Sequence, residues 1–228
     1  MSLPEWAEPV LRYMLEVGLK GTLQISAISL AGSLLIGITF GTVLTIRFLP
    51  SRALIRLYIE VWRGLPILVT LFLVFFLFPV LNPRLEFDAL ISASIALTLW
   101  GSAQVAEATR GAVQSIPKEQ HEAASALGFG WIGRHVFVIL PQALRRLLPP
   151  LVSLLVNIIQ TSTIAQVIGA PELLESAERQ VERLAAPPPI GIGEIKAFPI
   201  YATVMLIFFL ISFPLTRLAA YLERRLVQ

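Results

Sequence analysis

Five long apolar stretches constrain this chain more than any other feature of its sequence. They cover residues 19–46, 65–81, 90–108, 147–170 and 198–218. As helices, stretches of about 20 residues are long enough to cross a bilayer core of roughly 30 Å. Only 14% of the residues are charged, against about 25% in soluble domains. The sequence therefore predicts an all-α, polytopic membrane protein with about five transmembrane helices, in a single domain over residues 1–228.

The basic residues predict how these spans are oriented. Of the 18 lysines and arginines, twelve fall on the side of the loop 110–146 and six on the other side. Cytoplasmic flanks of membrane proteins carry the excess of Lys and Arg. We therefore expect the N-terminus outside the cell, the C-terminus in the cytoplasm, and the loop 110–146 in the cytoplasm.

Several kinds of chemistry find no support in the residues present. The chain has no cysteine and two histidines, so we expect no disulfide and no metal site. It has no GxxxxGK[ST] segment and hence no P-loop for ATP. His121 and Glu122 begin a zinc-protease pattern, but Ser125 stands where the second histidine would be needed, and Ser102 lacks a base partner. We expect a chain that is not an enzyme and has no cofactor of its own.

Small residues recur every four positions in the first span. Ser29, Ser33, Gly37, Gly41 and Thr45 would share one face of a helix. Such a strip allows two helix backbones to approach closely. It predicts close packing against a neighbouring helix rather than a ligand site.

Charged residues near the ends of the spans predict local ion pairs. Glu107 and Arg110 are three residues apart, which places them on one helix face. Glu60 lies close in sequence to Arg56 and Arg63, and we expect it to pair in the same way.

The loop 110–146 is much longer than a connection between two membrane helices requires. Pro117 predicts the end of one helix, and Gly128 the end of a second one about two turns long. Ala123, Ala124 and Ala126 would give that short helix a low-profile surface. Phe129, Trp131 and Ile132 follow it and could anchor a partner, as aromatic residues often do. This pattern favours a docking surface for another protein.

The loop resembles the signature of the permease subunits of bacterial ABC importers. That signature reads EAA, three residues, Gly, nine residues, Ile, one residue, Leu-Pro. In this chain Glu122, Ala123 and Ala124 are followed by Gly128 and then by Val138, Leu140 and Pro141. Only Val138 departs from the pattern. The resemblance implies that residues Glu122, Ala123, Ala124, Gly128, Phe129 and Trp131 form a coupling helix and its flank, docking on an ATP-binding subunit.

The resemblance to the polar-amino-acid branch of these permeases extends over nearly the whole chain. WRGLP at 62–66, AEATRGAVQSIPKEQHEAASALG at 106–128 and QTST at 160–163 are similar to segments of that branch. Glu119 and Gln160 depart from it, because the branch usually has Gly and commonly a charged residue there. The resemblance implies a type I ABC importer fold in a bacterial inner membrane, with a second permease subunit and an extracytoplasmic solute-binding protein. ATP and Mg²⁺ would bind to the separate ATPase, and no nucleic acid is expected as a partner.

Polar residues in the fourth span are candidates for the substrate path. Asn157, Gln160, Thr161 and Ser162 lie at or just past its middle, where polar groups are costly and often functional. They would line the path or form hydrogen bonds between permease subunits. Thr98 in the third span could face the same path.

Two further alternatives stay open at this point. The acidic and basic segment 171–184 is either a solvated helix face or a landing surface for a solute-binding protein. A secondary transporter or channel working without an ATPase is the alternative function, and it predicts ion-coupling charges in mid-span, which the five spans lack.

Overall fold

The computed structural model describes residues 4–45, 49–188 and 190–226. Over these residues the chain forms helices and no strand. The longer helices are α1 (Ala7–Val43), α2 (Leu49–Gly64), α3 (Ile67–Leu81), α4 (Ala89–Gln114), α5 (Lys118–Ala126), α6 (Trp131–Ile168), α7 (Leu173–Ala185) and α8 (Ala197–Leu226). Helices α1, α3 and α6 each include a wider π-helical segment, at Met14–Leu19, Leu73–Leu77 and His135–Ile139.

Four of these helices are long and apolar enough to cross a membrane on their own: α1, α4, α6 and α8. Helices α2 and α3 meet the same test only together, as a pair joined at a sharp bend. The described part of the chain thus holds four candidate spans, or five if the bent pair is one. The prediction of an all-α membrane fold with about five spans is confirmed.

The first span begins earlier than the sequence predicts. The predicted span starts at residue 19, after a more polar lead-in in the sequence, but helix α1 begins at Ala7 and runs without a break to Val43. The charged residues Arg12 and Glu16 form an exposed ion pair on one face, while Val10 and Met14 are buried on the other. The lead-in is therefore an amphipathic extension of the span. Residue 46, where the predicted span ends, lies outside the described residues.

The loop 110–146 is also more helical than predicted. Helix α4 continues to Gln114, and α6 begins at Trp131, well before the expected start of the fourth span at residue 147. Pro141, Pro149 and Pro150, residues that local rules place at helix breaks, lie inside α6. A proline removes one backbone donor from a helix, but the π-helical turns before Pro141 already depart from the regular bonding pattern.

The described residues pack as two compact units. The first includes described residues of Met1–Ser29, Ile67–Leu97 and Asn157–Pro214, and the second those of Leu30–Pro66, Thr98–Val156 and Leu215–Gln228. The first unit has a core of Val10, Met14, Leu173, Ala177, Leu184, Ile200 and Val204. The second has two clusters, one of Leu44, Ile55, Ile59 and Ala106 and one of Val113, Ile116, Ile139 and Ala143.

The strip of small residues on α1 packs against α4, as predicted. In the first unit the Ser29 hydroxyl donates to the carbonyl oxygen of Ser94 over 3.1 Å. In the second unit the Ser33 hydroxyl donates to the carbonyl oxygen of Thr98 over 3.5 Å. Both serines are fully buried. Each uses a donor that would otherwise lack a partner in an apolar environment.

The two glycines of the strip allow the closest approach of these helices. A Cβ atom added at Gly37 would lie 2.7 Å from the carbonyl oxygen of Ser102. One added at Gly41 would lie 2.5 Å from the Cβ of Thr109. Only a residue without a side chain fits at these two positions. The strip therefore serves helix packing, as the sequence predicts.

Candidate functional site

Helix α5, Lys118–Ala126, is short because its sequence encodes both of its ends. Pro117 occupies the N-cap position with extended backbone. At the other end Gly128 adopts a positive φ of 83°, which residues with a side chain rarely adopt. The amide of Gly128 donates to the carbonyl of Ser125 over 3.0 Å, and that of Phe129 to the carbonyl of Ala124 over 3.1 Å. This pair of bonds is the Schellman motif, and the predicted stop at Gly128 is confirmed.

The outer face of α5 differs in part from the predicted one. Glu122, Ala123 and Ala126 are exposed, but Ala124 is buried, with 3% of its surface accessible. Ala124 therefore packs inward and does not belong to the docking surface that we predicted. Leu127 is 78% exposed at the end of the helix, and sequence reasoning missed it. The available signal was a large apolar residue directly before the helix-ending glycine.

The aromatic residues after α5 divide into exposed and packed ones. Phe129 and Ile132 are exposed, the latter by 71%. Trp131 is half-buried and stacks on the imidazole of His135, with ring centroids 4.1 Å apart. The Nδ1 atom of His135 lies 2.9 Å from the carbonyl oxygen of Trp131. Trp131 thus packs at the start of α6, and of the three predicted anchors only Phe129 and Ile132 are exposed.

Side-chain hydrogen bonds attach α5 to the first turns of α6. The guanidinium of Arg134 donates to the hydroxyl of Ser125 over 2.7 Å. The amide of Gln142 donates to the side-chain oxygen of Gln120 over 3.2 Å. Two separate positions of α5 are thus attached to α6 by side-chain hydrogen bonds.

The end of α4 is attached to α6 in the same way. The guanidinium of Arg146 donates to the carbonyl oxygen of Ser115 over 2.6 Å and to its hydroxyl over 3.0 Å. Within this region burial, followed by the charge of Arg134 and the neighbouring His135, lowers the pKa of His121. The His121 imidazole is therefore neutral near pH 7, and α5 carries no extra positive charge at that position.

The predicted path residues of α6 differ in their exposure. Asn157 and Gln160 are exposed and Thr161 is half-buried. Ser162 is fully buried, and its hydroxyl donates to the carbonyl oxygen of Ile159 over 2.8 Å. A hydroxyl used within its own helix is not available to a solute, so Ser162 does not belong to an exposed path surface in this conformation. Asn157, Gln160 and Thr161 remain as candidates on one stretch of α6.

Thr98, the other predicted path residue, belongs to the second unit. It is half-buried on α4. A Cβ added at Gly32 would lie 2.7 Å from its Cγ2 atom, and its carbonyl accepts the hydroxyl of Ser33. Thr98 therefore takes part in the packing of α1 against α4.

One of the two predicted ion pairs of the second unit forms. Arg110 donates to Glu107 through Nε over 2.9 Å and through Nη2, which confirms that pair. Glu60 makes no ion pair with Arg56, Arg63 or any other described residue, so that prediction is wrong. On helix α2, Ile55 and Ile59 are buried while Arg56 and Glu60 are exposed. The packing of the isoleucines leaves the two charged side chains on an open face.

Helix α7, in the segment 171–184, has a polar buried side that the sequence did not predict. Glu172 is fully buried at the N-cap, where its carboxylate accepts the amides of Leu174 and Glu175 over 2.9 and 2.7 Å. Burial raises the pKa of Glu172 to about 7. Glu175 is buried too and pairs with Arg179. The exposed charged face of α7 is thus limited to Glu178, Arg179, Glu182 and Arg183, and both alternatives for the segment 171–184 apply to these residues.

Fold and site together define a multi-pass helical membrane protein with a short helix that is hydrogen-bonded to a long one. The sequence pattern of one family matches residues 33–228, and its description is "binding-protein-dependent transport system inner membrane component". This chain belongs to that family.

Individual relatives agree with this assignment over nearly their whole length. A glutamine transport system permease protein of Escherichia coli (strain K12) is 35% identical over 218 residues, covering 96% of this chain and 94% of its own. A probable glutamine ABC transporter permease protein of Bacillus subtilis (strain 168) is 32% identical over 209 residues, covering 92% and 91%.

Solved structures share the fold. The crystal structure of an amino acid ABC transporter with histidines superposes with a TM-score of 0.82 at 26% identity, covering 99% of this chain and 100% of that one. An inward-facing methionine ABC transporter gives a TM-score of 0.77 at 19% identity, a likeness of fold alone, with 97% of this chain covered and 100% of that one. The chain therefore has the transmembrane fold of a type I ABC importer.

Proposed function

We propose that this chain is the permease subunit of an ATP-driven importer for polar amino acids. The observation that carries the proposal is the short helix α5. The helix ends at Gly128 and is hydrogen-bonded to α6 through Arg134 and Gln142. It exposes Leu127 on the surface to which the ATPase of an importer would bind. Membership of the binding-protein-dependent family favours this function over a secondary transporter or channel working without an ATPase. The substrate class follows from the glutamine permeases among the relatives.

The coupling mechanism follows from the rigidity of the connection. An ATPase subunit holds α5 through the exposed surface of Glu122, Ala123, Leu127 and Phe129. ATP and Mg²⁺ bind in that ATPase, and the permease chain itself does no chemistry. Closure of an ATPase pair moves α5, and the bonds from α5 and α4 to α6 carry the motion into the membrane. Two permease subunits then alternate between inward-facing and outward-facing arrangements.

The remaining partners follow from the same assignment. A second permease subunit, either this chain or a homologue, completes the path. A solute-binding protein delivers the amino acid from outside and lands on the exposed charged residues of α7. This arrangement requires an outer N-terminus and a cytoplasmic C-terminus in a bacterial inner membrane.

Asn157, Gln160 and Thr161 of α6 contact the solute in this proposal. The side chains of Asn157 and Gln160 are exposed and that of Thr161 is half-buried, on a helix whose residues Ile158 and Ile159 are buried. An exposed amide in a membrane helix has hydrogen-bonding groups to offer to a polar amino acid.

The function is tested by reconstituting the chain with its ATPase and solute-binding protein in proteoliposomes. We expect uptake of L-glutamine or another polar amino acid, and we expect this uptake to require ATP on the side of the membrane where the ATPase is bound. Gln160→Leu should weaken uptake or change its selectivity, whereas Gln24→Leu, at an exposed glutamine of α1, should leave both unchanged. Uptake that proceeds without ATP or without the ATPase contradicts the proposal, and wild-type uptake by Gln160→Leu removes Gln160 from the path.

A further inference from the structure

A polar cavity of about 260 Å³ lies within the second unit. Its lining consists of Leu44, Arg56, Ile59, Glu60, Glu107 and Arg110. Binding sites for drug-sized molecules measure about 300–1,000 Å³, so this cavity suits a smaller ligand or the head of a larger one. Four of its six lining residues are ionisable, in a chain in which 14% of all residues are charged.

Two of the four charged groups, those of Glu107 and Arg110, form an ion pair with each other. Arg110 donates twice to the carboxylate of Glu107 and also to the amide oxygen of Gln114, over 2.6 Å. Arg56 and Glu60 are different, because neither makes a hydrogen bond or an ion pair with any residue that the structure describes. They lie four positions apart on α2, a spacing at which Cβ atoms are about 5–6 Å apart. The cavity thus offers one cation and one anion side by side.

The floor beneath these two charges is rigidly packed. Leu44 and Ile59 are buried in a cluster with Ile55 and Ala106. Helix α2 is also held to α4 by a 2.7 Å hydrogen bond between the hydroxyls of Tyr58 and Ser102. The backbone that carries Arg56 and Glu60 is therefore fixed before any ligand arrives, which reduces the entropic cost of binding.

We propose that this cavity binds a zwitterionic head in which an ammonium group lies close to an anionic oxygen group. The guanidinium of Arg56 donates to the anionic oxygens, and the carboxylate of Glu60 accepts from the ammonium group. A simple anion would leave Glu60 unpaired and a simple cation would leave Arg56 unpaired, whereas a zwitterion satisfies both. Ionisable residues in a membrane protein are costly unless they are paired or functional.

Two molecules supply this chemistry: a free α-amino acid and the headgroup of phosphatidylethanolamine. The first source rests on the proposed function, since an importer for amino acids exposes its membrane helices to them. The second does not depend on it. The two sources share the pairing with Arg56 and Glu60, and an experiment separates them.

The amino-acid arm measures equilibrium binding of L-glutamine to the complete transporter complex in phosphatidylcholine nanodiscs. We expect Arg56→Gln and Glu60→Gln each to weaken binding about 10- to 100-fold, because each removes a hydrogen bond to a charged group. Arg52→Gln is the matched control, since it removes an arginine one turn earlier on the same helix and outside the cavity. It should bind as the wild type does.

Analogues of the ligand keep the test independent of any loss of folding. 4-Carbamoylbutanoate lacks the ammonium group of glutamine, and 4-aminobutanamide lacks its carboxylate. In the wild type both should bind more weakly than glutamine. In Glu60→Gln the loss of the ammonium group should no longer matter, and in Arg56→Gln the loss of the carboxylate should no longer matter. A penalty that persists unchanged in the matching variant overturns the amino-acid arm.

The lipid arm measures phosphatidylethanolamine retained by the complex purified from mixed nanodiscs, by mass spectrometry of the intact complex. Retention by the wild type and by Arg52→Gln, with loss in Arg56→Gln and Glu60→Gln, assigns the cavity to the lipid headgroup. If neither glutamine binding nor lipid retention depends on Arg56 and Glu60, the zwitterion site is refuted.

ATP-driven uptake in proteoliposomes separates this failure from a failure of the proposed function. If the wild type imports amino acids and both variants bind glutamine, retain the lipid and import as the wild type does, only the cavity assignment falls. If the wild type imports no amino acid, the proposed function falls, and the lipid arm still decides about the cavity.

Discussion

Replacing Leu127 by alanine tests directly whether α5 is gripped by an ATPase. Leu127 is 78% exposed in the permease alone, and it lies at the closed end of α5, where a partner would cover it. Alanine lacks three of its carbon atoms, and burial stabilises by about 0.8 kcal/mol per CH₂ group. If docking buries the whole exposed part, the substitution costs about 1.9 kcal/mol, or roughly a 25-fold weaker association with the ATPase.

The assay titrates purified ATPase onto the permease in nanodiscs and follows binding by interferometry. Ile132→Ala, at a residue 71% exposed on the same surface, should weaken binding in the same direction. Leu81→Ala is the matched control, because Leu81 is 72% exposed at the end of α3, on the side that the proposed topology puts outside. The stability of the permease should not change in any of the three variants, since the side chains make few contacts.

The reasoning is refuted if Leu127→Ala and Ile132→Ala both bind the ATPase within about 2-fold of the wild type, a free-energy change of roughly 0.4 kcal/mol. An equal loss in Leu81→Ala would also refute it, because the effect would then be unspecific.

Three further predictions concern packing, pH and topology. Gly41→Leu should destabilise the permease by about 1–3 kcal/mol through overpacking. Gly111→Ala, with no neighbour near the added atom, should be neutral or slightly stabilising. Thermal unfolding in detergent measures both variants, and equal effects would contradict the close packing at Gly41. The pKa of Glu172 in the folded protein is about 7, above that of an unfolded glutamate, so the folded state favours the protonated carboxyl group. The thermal stability of the permease should therefore fall as the pH rises from about 5 to about 7, and it should stay constant above pH 7. Glu172→Gln should flatten that fall, and an unchanged pH profile would contradict it. In the naturally cysteine-free chain, a membrane-impermeant thiol reagent added outside intact cells should label Arg84→Cys and spare Glu122→Cys, and the reverse pattern would overturn the topology.

The sequence predicted the elements in which local chemistry and burial agree. Gly128 ends α5 because the Schellman motif needs a residue with a positive φ, and a glycine at this position is enough to predict it. The glycines Gly37 and Gly41 repeat at a helical spacing, and the structure uses them for the contact that this spacing implies. In such cases one short segment carries all the information.

The sequence misled where tertiary packing decides. Pro149 and Pro150 predict a break by local rules, yet α6 continues through them, because neighbouring helices can compensate for a lost bond in a membrane helix. Glu172 and Glu175 look like members of a solvated face, but α7 turns them towards the interior of its unit. Whether a charged residue faces water depends on what covers it, and the residues that do so are distant in sequence.

The prediction of an ion pair for Glu60 is wrong for a related reason. Its distance in sequence from Arg56 fits an ion pair, but the burial of Ile55 and Ile59 fixes the rotation of α2 and leaves both charges facing an open cavity. The candidate site on α5 was more predictable than this cavity because its spacing pattern lies within one loop.

The serine hydroxyls that join α1 to α4 have a consequence for how the protein responds to temperature. In lipid, water does not drive these helices together, and the attraction comes from dispersion and from bonds such as those of Ser29 and Ser33. Burial of apolar surface from water weakens on cooling, but contacts of enthalpic origin do not. The contact between these two helices should therefore lose less stability on cooling than a contact of equal area that is formed by burial from water.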